Sequence, residues 1–174
     1  MRLRAQSGEN EIMVEFEPAI KSLTESKVDF VIVGGVAISI HSTGYITRDI
    51  DFCYSRTTKN LTRIISAFAS FKPRLRGFPE DLPFVWDERT LQSGTNFTLK
   101  TTIGDIDLLG EIAGVGDYQA VKKESILTTV YDCNVRVLTL EGLIKAKRAA
   151  GRTKDLLVLP ELEALREMLS DTDK

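Results

Sequence analysis

Asp49 and Asp51 stand two residues apart in the stretch Asp49-Ile50-Asp51-Phe52-Cys53. If this stretch is a strand, alternation puts both carboxylates on one face, about 7 Å apart along the chain. The bland reading is an edge strand whose inward charges discourage aggregation. Two carboxylates on one strand face repel, however, unless a cation holds them, and the flanking Ile50 and Phe52 mark the strand as otherwise packed. Two hard divalent ions, Mg²⁺ or Mn²⁺, about 4 Å apart would bind there and bridge triphosphate oxygens. Upstream, the β-branched run Val31-Ile32-Val33 ends at Gly34-Gly35. A glycine pair lets backbone approach closely at a strand-to-helix turn, where free N–H groups favour phosphate. Together they are the parts needed for metal-dependent chemistry on a nucleoside triphosphate.

The elements that must position these residues follow from hydrophobic period. Phe16, Ala19, Ile20 and Leu23 fall at helical spacing, with Pro18 tolerated in the first turn. A strand over 30–33, the glycine turn and a helix to about Ile40 come next. The strand over 49–53 is followed by a helix through Leu61, Ile64, Ile65 and Phe68, with Thr57 and Thr58 as caps. Residues 72 to 95, with Pro73, Pro79 and Pro83, read as a long connection around Phe84, Val85 and Trp86, and such connections tend to be functional. Phe97, Leu99, Thr101 and Ile103 alternate as a half-buried strand. Gly104-Asp105 is a two-residue hairpin turn, and the chain returns along 106–109. That places Asp107 on a strand and Asp105 in the turn. A short helix near 118–123 and a strand through Val135 and Val137 follow. Thr139 caps a helix over 140–150, and Pro160 starts the last helix, with Leu162, Leu165 and Leu169 on its apolar face. The class is α/β (α+β) on a mixed sheet.

Leu140, Leu143, Ile144 and Lys147 share one helix stripe, so Lys147 points its ammonium inward where a core residue belongs. A buried lysine needs a charge partner, and triphosphate is a suitable one; the bland alternative is a snorkelling lysine. His41, the single histidine, reads as packing or surface, and Cys53 as a small buried thiol.

The 174 residues fit an N-terminal arm over 1–14, mobile or an edge strand, followed by one domain over 15–174. A net charge of −2 argues against a protein that coats nucleic acid. Two cysteines give no disulfide framework, the N-terminal residues lack the apolar core of a signal peptide, and no run approaches the roughly 20 apolar residues of a membrane span. The expectation is a cytoplasmic protein with no membrane partner.

Gly34-Gly35, a gap of thirteen residues and Asp49-Ile50-Asp51 resemble the signature of the DNA polymerase beta-like nucleotidyltransferase superfamily. The stretches 96–99, 104–111 and 143–155 resemble its bacterial stand-alone members, related to the AbiEii-like group. The resemblance implies a minimal nucleotidyltransferase fold with a C-terminal helical extension. It also implies Mg²⁺-dependent transfer of a nucleoside monophosphate from a nucleoside triphosphate, with release of pyrophosphate. Asp49 and Asp51 would bind the metals and Asp107 would supply the third carboxylate. Gly34, Gly35, Lys147 and Lys154 would hold phosphate, and Asp155 would lie near the site. The acceptor would be an RNA such as a tRNA, a protein hydroxyl or a small molecule. Two other readings are a nucleotide- or partner-binding module without turnover, and a toxin–antitoxin component with an antitoxin partner. The sequence departs from the relatives at Tyr45, which stands where they often carry arginine, while Thr47 matches. That points to weaker phosphate binding or to Arg48 taking over.

Overall fold

The computed structural model describes residues 16–42 and 45–173; the arm expected over 1–14 lies outside the described residues. The first element, α1 (Glu17–Glu25), buries Ala19, Ile20 and Leu23 and carries Pro18 in its first turn. Strand β1 (Phe30–Val33) is buried throughout and runs directly into α2 (Gly34–His41). Strand β2 (Asp49–Tyr54) turns Ile50 and Phe52 into the core, where Phe52 packs edge-on against Phe30 and tilted against Phe68. Helix α3 (Thr58–Phe68) begins at Thr57, whose side chain accepts from the Asn60 N–H.

The long connection contains more structure than its prolines suggest. A 3₁₀ turn over 69–71 leads to β3 (Arg74–Leu75), and α4 (Glu88–Gln92) is capped by Asp87. Trp86 fastens the segment by donating its indole N–H to the Ile65 carbonyl at 3.1 Å. Strands β4 (Asn96–Thr101) and β5 (Gly104–Leu109) form the expected hairpin, but its turn is Thr102-Ile103 rather than Gly104-Asp105. Thr101 shapes that turn: its hydroxyl donates to the Gly104 carbonyl at 2.6 Å and accepts from the Ile103 N–H at 3.2 Å. Asp105 therefore lies on the strand, on the same face as Asp107.

After a small ribbon of β6 (Glu111–Ile112) and β7 (Gly116–Asp117) come α5 (Tyr118–Lys123), β8 (Ser125–Val130) and β9 (Cys133–Leu138). Helix α6 (Leu140–Ala150) is capped by Thr139 and closed by Gly151 in the left-handed region. Helix α7 (Thr153–Thr172) starts well before Pro160, which sits inside it. The proline removes the bond to the Leu156 carbonyl, and Leu156 is on the exposed side, where water can replace it. Of the expected apolar face of α7, Leu162 is buried, Leu165 is partly covered and Leu169 is exposed.

Seven strands form one mixed sheet in the order β3-β4-β5-β2-β1-β9-β8, flanked by helices and followed by the α6–α7 extension. Strands β2 and β5 pair in parallel, as do β1 and β9; the other pairs are antiparallel. Among the described residues no helix is long and apolar enough to cross a membrane.

Candidate functional site

Strand pairing brings the carboxylates together. In the parallel β2–β5 ladder Asp49 stands opposite Asp105, and Asp51 opposite Asp107. Four carboxylates thus share one face of two neighbouring strands. Asp49, Asp51 and Asp107 each bring one oxygen within 4.8 Å of the others. Burial and the charges of Asp49 and Asp107 push the Asp51 carboxyl up to about 7. Asp107 is raised as well, by burial and by Asp49, against the opposing pull of Arg76. The Thr47 hydroxyl orients Asp49 by donating to its Oδ1 at 3.1 Å.

Gly34 is required here for two reasons. Its φ of +64° lies in the left-handed region, and a Cβ there would overlap the Asp51 carboxylate. At Gly35 a Cβ would come within 2.7 Å of the Thr47 hydroxyl. The glycine pair therefore admits the carboxylate and its orienting threonine beneath the start of α2. No side chain caps that helix end. Gly34→Ala should cost stability by about 2 kcal/mol or more, from backbone strain and overlap together, read as the denaturation midpoint. A change under about 0.5 kcal/mol would mean that the close approach is not needed.

These residues line a cleft of about 460 Å³. One wall is the carboxylate face with Gly34 and Gly35; the other is α6 and the start of α7, with Lys147, Arg152, Lys154 and Asp155. Lys147 points inward, as its stripe requires, but its partner belongs to the protein. Its ammonium lies 2.9 Å from Asp155, a fully buried carboxylate that also pairs with Arg152 at 2.6 Å. Burial alone would raise Asp155; hydrogen bonds from Arg152 and Lys147 outweigh it and hold the carboxyl at about 2. Lys154 is exposed at the rim. Tyr45 lines the cleft, whereas Arg48 is exposed and is not among the lining residues; the arginine in the lining is Arg152.

Arg76 has no motif to announce it. Its guanidinium reaches Asp107 at 2.8 Å and Asp105 at 3.3 Å. Arg152, in the lining beside Lys147, likewise has no motif of its own. His41 is not part of the carboxylate cluster; its Nε2 lies 2.8 Å from the Leu138 carbonyl. Cys53 is buried, and burial pushes its thiol up to about 12.

Three carboxylates on adjacent strands, facing a cleft with cations on its far wall, suit a divalent metal. The donor set is all oxygen, as Mg²⁺ or Mn²⁺ prefers, and a cation would relieve the burial and crowding that push Asp51 up to about 7. Over its length the chain aligns with ANT(2″)-Ia, solved in complex with adenylyl-2″-tobramycin. The match covers 91% of this chain and 97% of that one, at 13% identity and a TM-score of 0.52. The chain shares the fold of ANT(2″)-Ia. A candidate nucleotidyltransferase from Thermotoga maritima also matches, at 17% identity and a TM-score of 0.49, covering 88% of this chain and 89% of that one. No family model and no curated protein sequence matches the chain.

Proposed function

We propose that this protein transfers a nucleoside monophosphate from a nucleoside triphosphate to a hydroxyl acceptor in a Mg²⁺-dependent reaction. The observation that carries the reading is the Asp49, Asp51 and Asp107 cluster, within 4.8 Å on adjacent parallel strands, at the floor of a cleft walled by Lys147 and Arg152. Bound divalent ions would supply charge neutralisation on the triphosphate and acidify the acceptor hydroxyl. The chain's own residues do the rest. The uncapped start of α2 at Gly34 and Gly35 takes phosphate oxygens, and Lys147, Arg152 and Lys154 offset their charge from the opposite wall. Asp155 keeps Lys147 and Arg152 extended into the cleft. The acceptor oxygen forms a bond to the α-phosphorus, the bond to the β-phosphate oxygen breaks, and pyrophosphate leaves with that electron pair. The acceptor proton passes to solvent on the Asp107 side.

The acceptor is a hydroxyl of an RNA such as a tRNA, of a protein, or of a small molecule. The adenylyl-2″-tobramycin in the ANT(2″)-Ia complex supports adduct formation on this fold in general terms. The AbiEii-like affiliation and a toxin–antitoxin role in the cytoplasm rest on the sequence motifs, and an adjacent gene for an antitoxin partner would support them. The direct test is incubation with each α-³²P-labelled NTP, Mg²⁺ and total RNA or lysate. A labelled acceptor that disappears with Asp49→Asn and Asp51→Asn is the expected result. No label with any NTP and acceptor pool would leave a nucleotide-binding module without turnover as the better reading.

A further inference from the structure

We propose that Arg76 is a positioning residue for the transfer reaction: its guanidinium, held by Asp105 and the Leu99 carbonyl, fixes the Asp107 carboxylate so that it completes the cluster with Asp49 and Asp51. The inference rests on the nucleotidyl-transfer reading of that cluster and goes beyond it to the group that sets its third member.

The pairing of the sheet delivers Arg76 to this place. β3 is the edge strand, and Arg74 and Leu75 pair with Lys100 and Leu99 of β4. The next residue continues the ladder, with the Arg76 N–H donating to the Thr98 carbonyl at 2.8 Å. Thr98 is in turn the register partner of Asp107 on β5. Pleat parity therefore puts the Arg76 side chain on the carboxylate face, two strands away from Asp107. An arginine can cross that distance, and here it does.

The guanidinium is held from three directions. Nη2 donates to Asp107 Oδ1 at 2.8 Å and to the Leu99 carbonyl at 3.3 Å, while Nε faces Asp105 Oδ2 at 3.3 Å. A planar fork anchored in this way is restrained, and a carboxylate held at one oxygen turns less freely about its last bond. The direction of the second oxygen is then set. The segment behind Arg76 is pinned too: Arg74 donates to the Pro79 and Leu82 carbonyls at 3.1 and 2.9 Å, and its guanidinium lies over the Phe84 ring. Asp105 acquires a role from the same geometry. It is the anchor of the anchor: its half-exposed carboxylate pairs with Arg76 and is not one of the three that gather in the cluster.

The test compares wild type with Arg76→Ala, Arg76→Lys, Asp105→Asn and the Arg76→Ala/Asp105→Asn double variant. Mn²⁺ binding is followed by electron paramagnetic resonance with non-hydrolysable α,β-analogues of each NTP, alongside steady-state transfer and thermal melts. Outer partners of metal ligands carry effects of about 10- to 100-fold. Arg76→Ala should lower kcat about tenfold or more and weaken the second Mn²⁺ about tenfold, with KM for the NTP within about threefold. Arg76→Lys should recover part of both. Asp105→Asn should lose less, and the double variant should be no worse than Arg76→Ala, because Asp105 acts through Arg76. Three results would overturn the proposal: Arg76→Ala with kcat within about threefold of wild type, a second Mn²⁺ that binds more tightly without the arginine, or losses that multiply in the double variant. Arg76→Gln, which keeps the stem, replaces the alanine variant if that does not fold. Absence of transfer by wild type itself would refute nucleotidyl transfer, and the Mn²⁺ titration would still decide what Arg76 does to the cluster.

Discussion

Asp107→Asn should cut nucleotidyl transfer by about 10²-fold or more while leaving nucleotide affinity within a few-fold. Asp49 and Asp51 stand together on β2, beneath the glycine turn, and can hold one cation on a triphosphate without help from β5. Asp107 alone brings the neighbouring strand into the cluster. In the proposed reaction a second cation, which would acidify the acceptor hydroxyl, would need that third carboxylate. The loss should therefore appear in kcat, as stabilisation made only in the transition state, and not in binding. Asparagine keeps the shape and can still face Arg76. Calorimetric titration of an NTP analogue beside single-turnover transfer separates the two effects. An equal fall in affinity and rate would mean that Asp107 belongs to the nucleotide site rather than to the acceptor side.

Asp51→Asn should make the metal-free protein more stable at pH 8 and abolish its stabilisation by metal. The Asp51 carboxyl sits at about 7 in the fold, against about 3.9 for an unfolded aspartate. Its folded form holds a proton more tightly than the unfolded chain does. The associated stability is fully present below about pH 4 and is lost as pH rises through 7. At pH 8 the wild type therefore carries a buried charge, with unrelieved repulsion from Asp49 and Asp107, both of which asparagine removes. We expect a gain of about 2–8 °C in melting temperature at pH 8, the span for roughly 1–2 kcal/mol in a chain of this size, and little gain near pH 5. Mg²⁺ with an NTP analogue should reverse the order at pH 8, raising wild type by mass action and leaving the variant behind. A rise of equal size in Asp51→Asn would place the metal elsewhere.

Local pattern made much of this legible. The alternation of Asp49 and Asp51 with Ile50 and Phe52, the glycine pair at the end of β1 and the Thr139 cap of α6 are all properties of a few adjacent residues. Their positions in the structure match the spacing. What escaped depends on pairing across the chain. Arg76 meets Asp107 only through the β3–β4–β5 ladder, and no local signal marks an arginine that follows a two-residue strand. Glycine, the strongest local punctuation, points to a turn at Gly104-Asp105, yet the Thr101 side chain closes the turn before Gly104 arrives. Lys147 read correctly as an inward lysine, but its partner lies beyond the Gly151 break, on the next helix. Proline at 160 marked a helix start by rule, whereas the exposed side of α7 tolerates it mid-helix. Strand β8 lacks both alternation in burial and flanking glycines, so no local signal marks it.

The parallel pairing of β2 with β5 also governs how long the folded state lasts. Asp51 and Asp107 are 56 residues apart in sequence and become neighbours only when that ladder closes. Contacts of such separation are slow to form, because the intervening chain must be ordered first. The mutual repulsion of the carboxylates is felt only after closure, on the native side of the barrier, so it hastens unfolding more than it delays folding. A cation in the cluster acts on the same side. A cation bound there would work as a latch on the lifetime of the native chain.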